Sequence, residues 1–356
     1  MKSSKPKTTR SLLAALALCA GLLGRAEDQP QPIDGVLTFD VPEGAVVRYA
    51  EPLGEDIRQL VKLGAGTLVV TNDANGAFLG TVEVRAGVLE AQSALTTTLN
   101  VLGSRAENTI TVSAGAQLLA RVPAGKNQFA QRFPNNLVLA GNGPDGRGAL
   151  LFVRSGGDLI VDHLFSNVAL AGDADVNMMG GGRMGFNGRL DFNGHTLTYR
   201  SYASGTSDSL IFSGSQTVFR NGHLKVVNGG GVTWQGTKTF EGGPDCTVTI
   251  GQGGRLDLWG AAFAGDLWTF VFEEGSFLRL GAGTKADDNI LPMPIRLDGN
   301  VTVGNYMSTA NMRTTLSGTL AGAGRLTMAA TSKNAALWLT GKANDDWSGG
   351  LSANAG

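Results

Sequence analysis

The sequence predicts an all-β chain whose short strands stack as a β-solenoid. Three observations carry that prediction. Short apolar or alternating runs recur along the chain, each closed by Gly, Asn or Asp within ten or so positions, which is the period-2 pattern of strands and turns. After residue 30 no window of roughly a dozen residues keeps a clean helical period. Glycine fills 52 of 356 positions, about twice the usual share. Without a Gly-x-y period, collagen is excluded, and 42% hydrophobic residues is too many for a disordered chain.

The first element stands apart from the fold. Lys2, Lys5, Lys7 and Arg10 precede an apolar run from Leu12 to Leu23, and Gly24-Arg25-Ala26 follows. A basic stretch, a short apolar core and small residues at a cleavage point make residues 1–26 a secretory signal peptide. The run is shorter than the roughly 20 residues that span a bilayer, and no later run qualifies. Cys19 follows Leu16-Ala17-Leu18, where a lipidation motif would place a small residue before the Cys. Loss of the signal removes five basic residues and no acids, so 29 basic against 30 acidic becomes 24 against 30, or −6. It also leaves Cys246 as the sole thiol, with no internal disulfide possible.

Residues 27–58, with Pro30, Pro32, Pro42 and Pro52, form an N-terminal leader or a cap. From residue 59 to 356 the strand signals are continuous. They include Gly66-Thr-Leu-Val-Val-Thr71, Thr81-Val-Glu-Val84, Thr109-Ile-Thr-Val112, His195-Thr-Leu-Thr-Tyr199, His223-Leu-Lys-Val-Val227, Thr247-Val-Thr-Ile250 and Arg255-Leu-Asp-Leu-Trp259. Some 300 residues of this pattern are too many for one sandwich, and no blade-length repeat marks a propeller. A solenoid with coils of about 22 residues fits, because its corners demand backbone that Gly and Asn supply cheaply.

One internal repeat is specific. Thr71 to Gly87 aligns without a gap on Thr340 to Gly356: Phe78 meets Trp347, Gly80 meets Gly349 and Gly87 meets Gly356. Upstream, Gly64-Ala-Gly66-Thr-Leu68 matches Gly322-Ala-Gly324-Arg-Leu326. The glycines are expected at corners and the aromatics in the core, in repeats spanning about 61–91 and 320–356.

The stretch from Val61-Lys-Leu-Gly-Ala-Gly-Thr-Leu68 to Arg85-Ala-Gly-Val-Leu89 resembles the autotransporter-associated β-strand repeat. Leu79-Gly80-Thr81 departs from the usual Thr-Gly-Gly, whereas Ser348-Gly349-Gly350 is closer. The resemblance implies a right-handed parallel β-helix within a large exported bacterial protein, some of which are autotransporter passengers. Because Gly356 corresponds to Gly87, which leads into Val88-Leu89, the sequence is expected to stop in mid-repeat. The protein is then expected to continue into a C-terminal translocator barrel or sorting anchor.

Candidate chemistry is sparse. The near-neutral charge gives no reason to expect nucleic acid. Gly141-Asn-Gly-Pro-Asp145 is similar to one turn of a calcium-binding β-roll, but stands alone and reads as a corner. His163, His195 and His223 have no carboxylate or Cys at ligand spacing, and Asn193-Gly-His195 and Asn221-Gly-His223 read as equivalent steps of successive coils. Gly205-Thr-Ser207-Asp208 is only a fragment of a serine-nucleophile motif. The pairs Asp287-Asp288 and Asp345-Asp346 sit in polar turns. No catalytic, metal or cofactor residue is assigned, and no cofactor is expected.

The expected role is an exported structural or adhesive passenger at the cell surface, the outer membrane or outside the cell, not an enzyme. Surface glycans or other cells are its expected partners. The alternative is a carbohydrate-active β-helix enzyme, a polysaccharide lyase or pectinase-like hydrolase. That alternative predicts carboxylates and basic residues converging on one face of adjacent coils.

Overall fold

The computed structural model describes residues 30–94, 100–123, 130–131, 133–155, 161–180, 183–186, 188–202, 209–212, 217–281, 289–305, 312–329, 335–341 and 346–353. Residues 1–26, expected from the sequence to be a signal peptide, lie outside the described residues. Every strand-to-strand pairing among the described residues is parallel, and the single helical piece is a turn of 3-10 helix at Asn75–Ala77. The chain is a β-solenoid, as its strand pattern predicts. No helix among the described residues is long and apolar enough to cross a membrane.

Three faces follow from the register. On the first, Val36 stacks on Gln59, Gln59 on Thr81, Val82 on Ile110, Ile110 on Leu137 and Leu137 on Val168. On the second, Val46 stacks on Thr67, Thr67 on Val88 and Val88 on Gln117, and the ladder continues through Tyr199, Val226, Ile250 and Phe272. The third face begins at Ala130–Gln131 and runs through Val161–Leu164, Arg183–Phe186 and Ser209–Phe212. It then takes in the first halves of Gly231–Glu241 and Arg255–Gly265, followed by Ser276–Leu280, Val301–Asn305, Leu326–Met328 and Leu351–Ala353. Coils vary in length more than the sequence pattern suggests. Thr67 to Val88 is a step of 21 residues, and Leu137 to Val168 a step of 31. The excess sits in corner loops, which surface exposure lets grow at little entropic cost.

Alternation builds the core. In Thr196–Ser201 every second residue is buried, so Leu197 and Tyr199 point inward while Thr196, Thr198 and Arg200 face out. Stacked coils bring inward residues into one continuous core from Leu37 to Leu326. One stretch of it is aromatic: Trp234 meets the rings of Phe219, Phe240, Phe263 and Phe270 at centroid distances of 5.8, 5.7, 5.4 and 5.1 Å. Corners that turn inward satisfy their backbone with buried Asn side chains. Asn75 accepts the Leu53 N–H at 2.8 Å and donates to the Val101 carbonyl at 2.8 Å, so it ties three coils together. Asn108 donates to Gly80, and Asn135 to Leu102 and Asn108.

The segment read as leader or cap supplies the first stacked coil, from Pro30 onward. Val36–Asp40 and Val46–Tyr49 are its strands, and Phe39 and Tyr49 pack edge to face at 5.2 Å.

The repeat glycines stand at corners. Gly64 and Gly87 have φ of +71° and +64°, and Gly322 has φ of +97°. A β-carbon on Gly66, Gly324 or Gly349 would strike the carbonyl of the stacked coil, Pro42, Gly299 and Gly324 respectively. On Gly80 it would meet the Arg58 carbonyl. Phe78 is fully buried; Trp347 is half-buried and donates its indole N–H to the Gly324 carbonyl at 2.8 Å. The two copies are not at the same corner of the cross-section. Gly64–Gly66 leads into the second face, whereas Gly322–Gly324 leads out of it into the third. Gly356 lies outside the described residues.

Lys62, beside the first of these corners, is fully buried. Its ammonium donates to the carbonyls of Leu63, Gly64 and Ala86 at 2.7, 2.8 and 3.1 Å, joining one coil to the next. Burial lowers its pKa to about 8, with nearby Asp40 opposing.

Candidate functional site

The outward residues of the second and third faces behave differently. On the second face, Asp175, Thr198, Lys225 and Thr249 stand in one register column, and Asn177, Arg200 and Val227 in the next. Charges there pair from coil to coil. Arg200 meets Asp175 at 3.1 Å, Lys225 meets Glu273 at 2.8 Å and Arg121 meets Glu90 at 2.5 Å. Burial raises the Asp175 pKa, and the Arg200 charge partly counters it. These pairs tie coils together along the stack, and Lys225–Glu273 spans two steps of it.

On the third face Val232, Trp234, Leu256, Leu258, Leu278 and Leu280 point inward and are buried. Alternation therefore turns Gly231, Thr233, Arg255, Asp257, Phe277 and Arg279 outward. Thr233, Asp257 and Arg279 are in register on three successive coils, and Gly231, Arg255 and Phe277 form the adjacent column. Although outward-facing, Thr233, Arg255 and Asp257 are only 2%, 7% and 4% exposed. The Asp257 carboxylate receives the Arg255 Nε–H at 3.0 and 2.9 Å and the Thr233 hydroxyl at 3.2 Å, and the Arg279 Nε lies 3.5 Å away. Gly231 makes room for this, because a β-carbon there would collide with the Arg255 guanidinium. Arg183, from a coil further up the same column, sets its guanidinium over the Trp259 ring, 5.6 Å from the centroid. Thr233, Asp257, Leu258, Trp259, Arg279, Leu280 and Gly281 line a gap with room for about one water molecule.

The arrangement is a covered charge cluster in which Arg255, Arg279 and Thr233 converge on Asp257 and Arg183 lies over the indole beside it. It has a single carboxylate, already engaged by two arginines and a hydroxyl, so it lacks the paired acid and base of a glycosidase. The sequence alone did not reveal it, because its members fall 22 to 24 positions apart and become neighbours only once the coil register is known. The available signal was Thr233, Asp257 and Arg279, polar residues at coil spacing beside inward-facing Val232, Leu256 and Leu278.

The other candidates are dispersed. His195 and His223 are offset by one residue, since His223 stacks on Thr196. His223 Nδ1 lies 2.9 Å from the Thr247 hydroxyl, and His195 Nδ1 lies 3.7 Å from Asp173. For His163 only the backbone is placed, on Val161–Leu164. Asp145 caps its own turn, accepting the Arg147 N–H at 3.1 Å and pairing with its guanidinium at 3.0 Å. Cys246 is buried and accepts the Gly222 N–H at 3.3 Å. Ser207, Asp208, Asp287, Asp288 and Asp345 lie outside the described residues, and Asp346 is exposed. Among the described residues, no three His, Cys, Asp or Glu side chains gather as a metal site would require. Comparison with known proteins finds no matching family model, no matching curated protein and no matching solved structure.

Proposed function

We propose that the chain is an exported, passenger-like β-helical stalk that presents its corner loops at a cell surface. The observation that supports this most is how polar side chains are used. Asn75, Lys62, Asp175–Arg200 and Lys225–Glu273 each tie one coil to another. Polar groups spent on stacking serve length and rigidity, and in such an array each coil contacts only its neighbours. The signal-like N-terminus and the repeat resemblance point the same way. Antibodies against the folded chain should label intact cells of the native organism, and beads coated with it should adhere to glycan-bearing cells. Labelling that appears only after permeabilisation would overturn the surface assignment, and coated beads no stickier than bare ones would overturn adhesion.

The second reading is the carbohydrate-active enzyme, favoured by Asp257, Arg255 and Arg279 on adjacent coils. Incubation with acidic polysaccharides, followed by reducing-end assay, decides it. Cleavage that disappears in Asp257→Asn would replace the stalk reading.

A further inference from the structure

Asn–Gly steps punctuate the chain at Asn75, Asn142, Asn187, Asn193, Asn221 and Asn228. Asparagine before glycine is a reactive pair, because glycine has no β-carbon to shield its nitrogen from the asparagine side-chain amide. The fold guards most of these steps. The Gly194 N–H donates to the Asn221 carbonyl at 2.7 Å, the Gly229 N–H to the Gly253 carbonyl at 2.9 Å and the Gly222 N–H to Cys246 Sγ at 3.3 Å. Each bond joins two coils, so the nitrogen is released only when they part locally. Asn75 is guarded differently: its side chain is fully buried and bonded to Leu53 and Val101. Asn187 lies outside the described residues. Asn142 has neither guard. It is exposed, on the loop between Leu137–Gly141 and Leu150–Ser155, and its side chain makes no hydrogen bond among the described residues. The Gly143 N–H has no partner there either. Gly143 is covered by its own loop, where a β-carbon would strike the Gly148 carbonyl. Reaching its nitrogen therefore requires one surface loop to loosen and no coils to part. The loop's tie from the Gly148 N–H, at 2.7 Å, uses the Asn142 main-chain oxygen and leaves the side chain free.

We propose that Asn142 is a modification site, converted by the chain's own Gly143 nitrogen and water through a cyclic imide. The Gly143 nitrogen bonds to Asn142 Cγ, the Cγ–Nδ2 bond breaks, and the Gly143 amide proton leaves with Nδ2 as ammonia. Water then opens the ring. Opening at Cγ gives aspartate. Opening at the main-chain carbonyl gives isoaspartate, in which the backbone runs through the former side chain. Either product adds a carboxylate to the loop that holds the Asp145–Arg147 pair, so the charge of one corner changes while the stacked core does not. The proposal goes beyond the stalk reading and is independent of it, since the chemistry needs only the folded chain and water.

The test is peptide mapping by mass spectrometry of the full folded chain after incubation at mildly alkaline pH. Heavy-oxygen water marks the conversion that occurs during the incubation, and a parallel sample is held in urea. In the folded chain Asn142 should convert roughly tenfold faster than Asn193, Asn221 or Asn228, the factor set by one hydrogen bond that must first break. Isoaspartate should accompany aspartate. In urea the four should convert at similar rates. Asn142→Gln, whose ring would need an extra carbon, should fold like the parent by circular dichroism and leave the loop peptide free of isoaspartate. Should it fail to fold, the map of the parent carries the test. Conversion at Asn142 no faster than at the other three, a lead that persists undiminished in urea, or aspartate formed without isoaspartate would overturn the proposal. So would isoaspartate that persists in the loop peptide of the folded variant, which would place the reaction at Asp145–Gly146.

Discussion

Replacing Gly87 by alanine tests whether the repeat corners are set by close backbone approach or by turn propensity alone. Gly87 has φ of +64°, and a β-carbon on it would collide with the Gly66 carbonyl, sit 2.5 Å from the Gly64 oxygen and 2.8 Å from the Ala65 carbon. Gly44 makes the control, with φ of +74° and nothing within 4 Å of the same position. Alanine at Gly44 carries only the left-handed penalty, about 1 kcal/mol. At Gly87 the overpacking cost is added, about 1–3 kcal/mol. The sum there is about 2–4 kcal/mol. The clash is with backbone, so no rotamer relieves it. The same corner carries the Lys62 contacts to Gly64 and Ala86 and the Val88 N–H to Gly66 bond of 3.1 Å. Damage should therefore be local, because a solenoid's stability is close to a sum over coils and their interfaces. Hydrogen exchange should show faster amides in Val88–Gln92 for Gly87→Ala, and urea unfolding should show the larger loss. Equal loss in the two variants, within about 0.5 kcal/mol, would refute the close-approach argument.

Burial lowers the pKa of both Lys62 and Lys238 to about 8, from 10.5. The folded chain thus binds fewer protons than the unfolded one between those values, so stability should rise with pH from about 8 towards 10, by about 3 kcal/mol per lysine. Lys62→Met should remove about half of that slope in urea titrations, while Tyr49, whose pKa burial raises, opposes it above pH 10. Trp234→Ala should cost about 3–5 kcal/mol in thermal unfolding. Trp234→Phe should cost far less, because among the described residues its buried indole N–H has no partner to lose. Asp257→Asn should cost about 3–5 kcal/mol by leaving buried guanidinium groups uncompensated. By contrast Asp298→Asn, at the exposed Arg296–Asp298 pair, should cost under about 1 kcal/mol.

What the sequence could show divides along a physical line. Strand content and inward residues are local properties. The alternation in His195-Thr-Leu-Thr-Tyr199 is visible because each residue's neighbours two positions away share its face. Corners such as Gly64 and Gly87 are visible because positive φ selects glycine. Register is not local. With coil steps of 21 to 32 residues, the Asn-Gly-His triplets ending at His195 and His223 look equivalent yet stack one residue out of step. The same variation places the second repeat copy one face further round. It also hides the meeting of Thr233, Asp257 and Arg279, of which only Asp257 stands in a strand the sequence predicts. Lys62 was hidden for another reason: a lysine in a strand ordinarily marks solvent, and only three converging carbonyls make its burial tolerable.

The contrast between faces bears on why the third-face cluster exists. A half-exposed pair such as Lys225–Glu273 has a small desolvation cost and contributes little, so it can be kept for register alone. Arg255 and Asp257 are almost fully covered, and covering two charges costs more than their attraction ordinarily returns, while an apolar pair of like volume would stack more stably. The chain has no shortage of apolar alternatives. Ile211 stands in the same column as Asp257 two coils away, 1% exposed, so the face accepts an aliphatic side chain in that environment. Stability therefore gives no reason for arginine and aspartate at 255, 257 and 279. Register gives a weak one, since Trp234–Leu258 and the aromatic core already fix these coils. Replacing Arg255, Asp257 and Arg279 together by apolar residues of like volume should therefore cost less in urea unfolding than Asp257→Asn alone, which leaves the guanidinium groups buried without their partner.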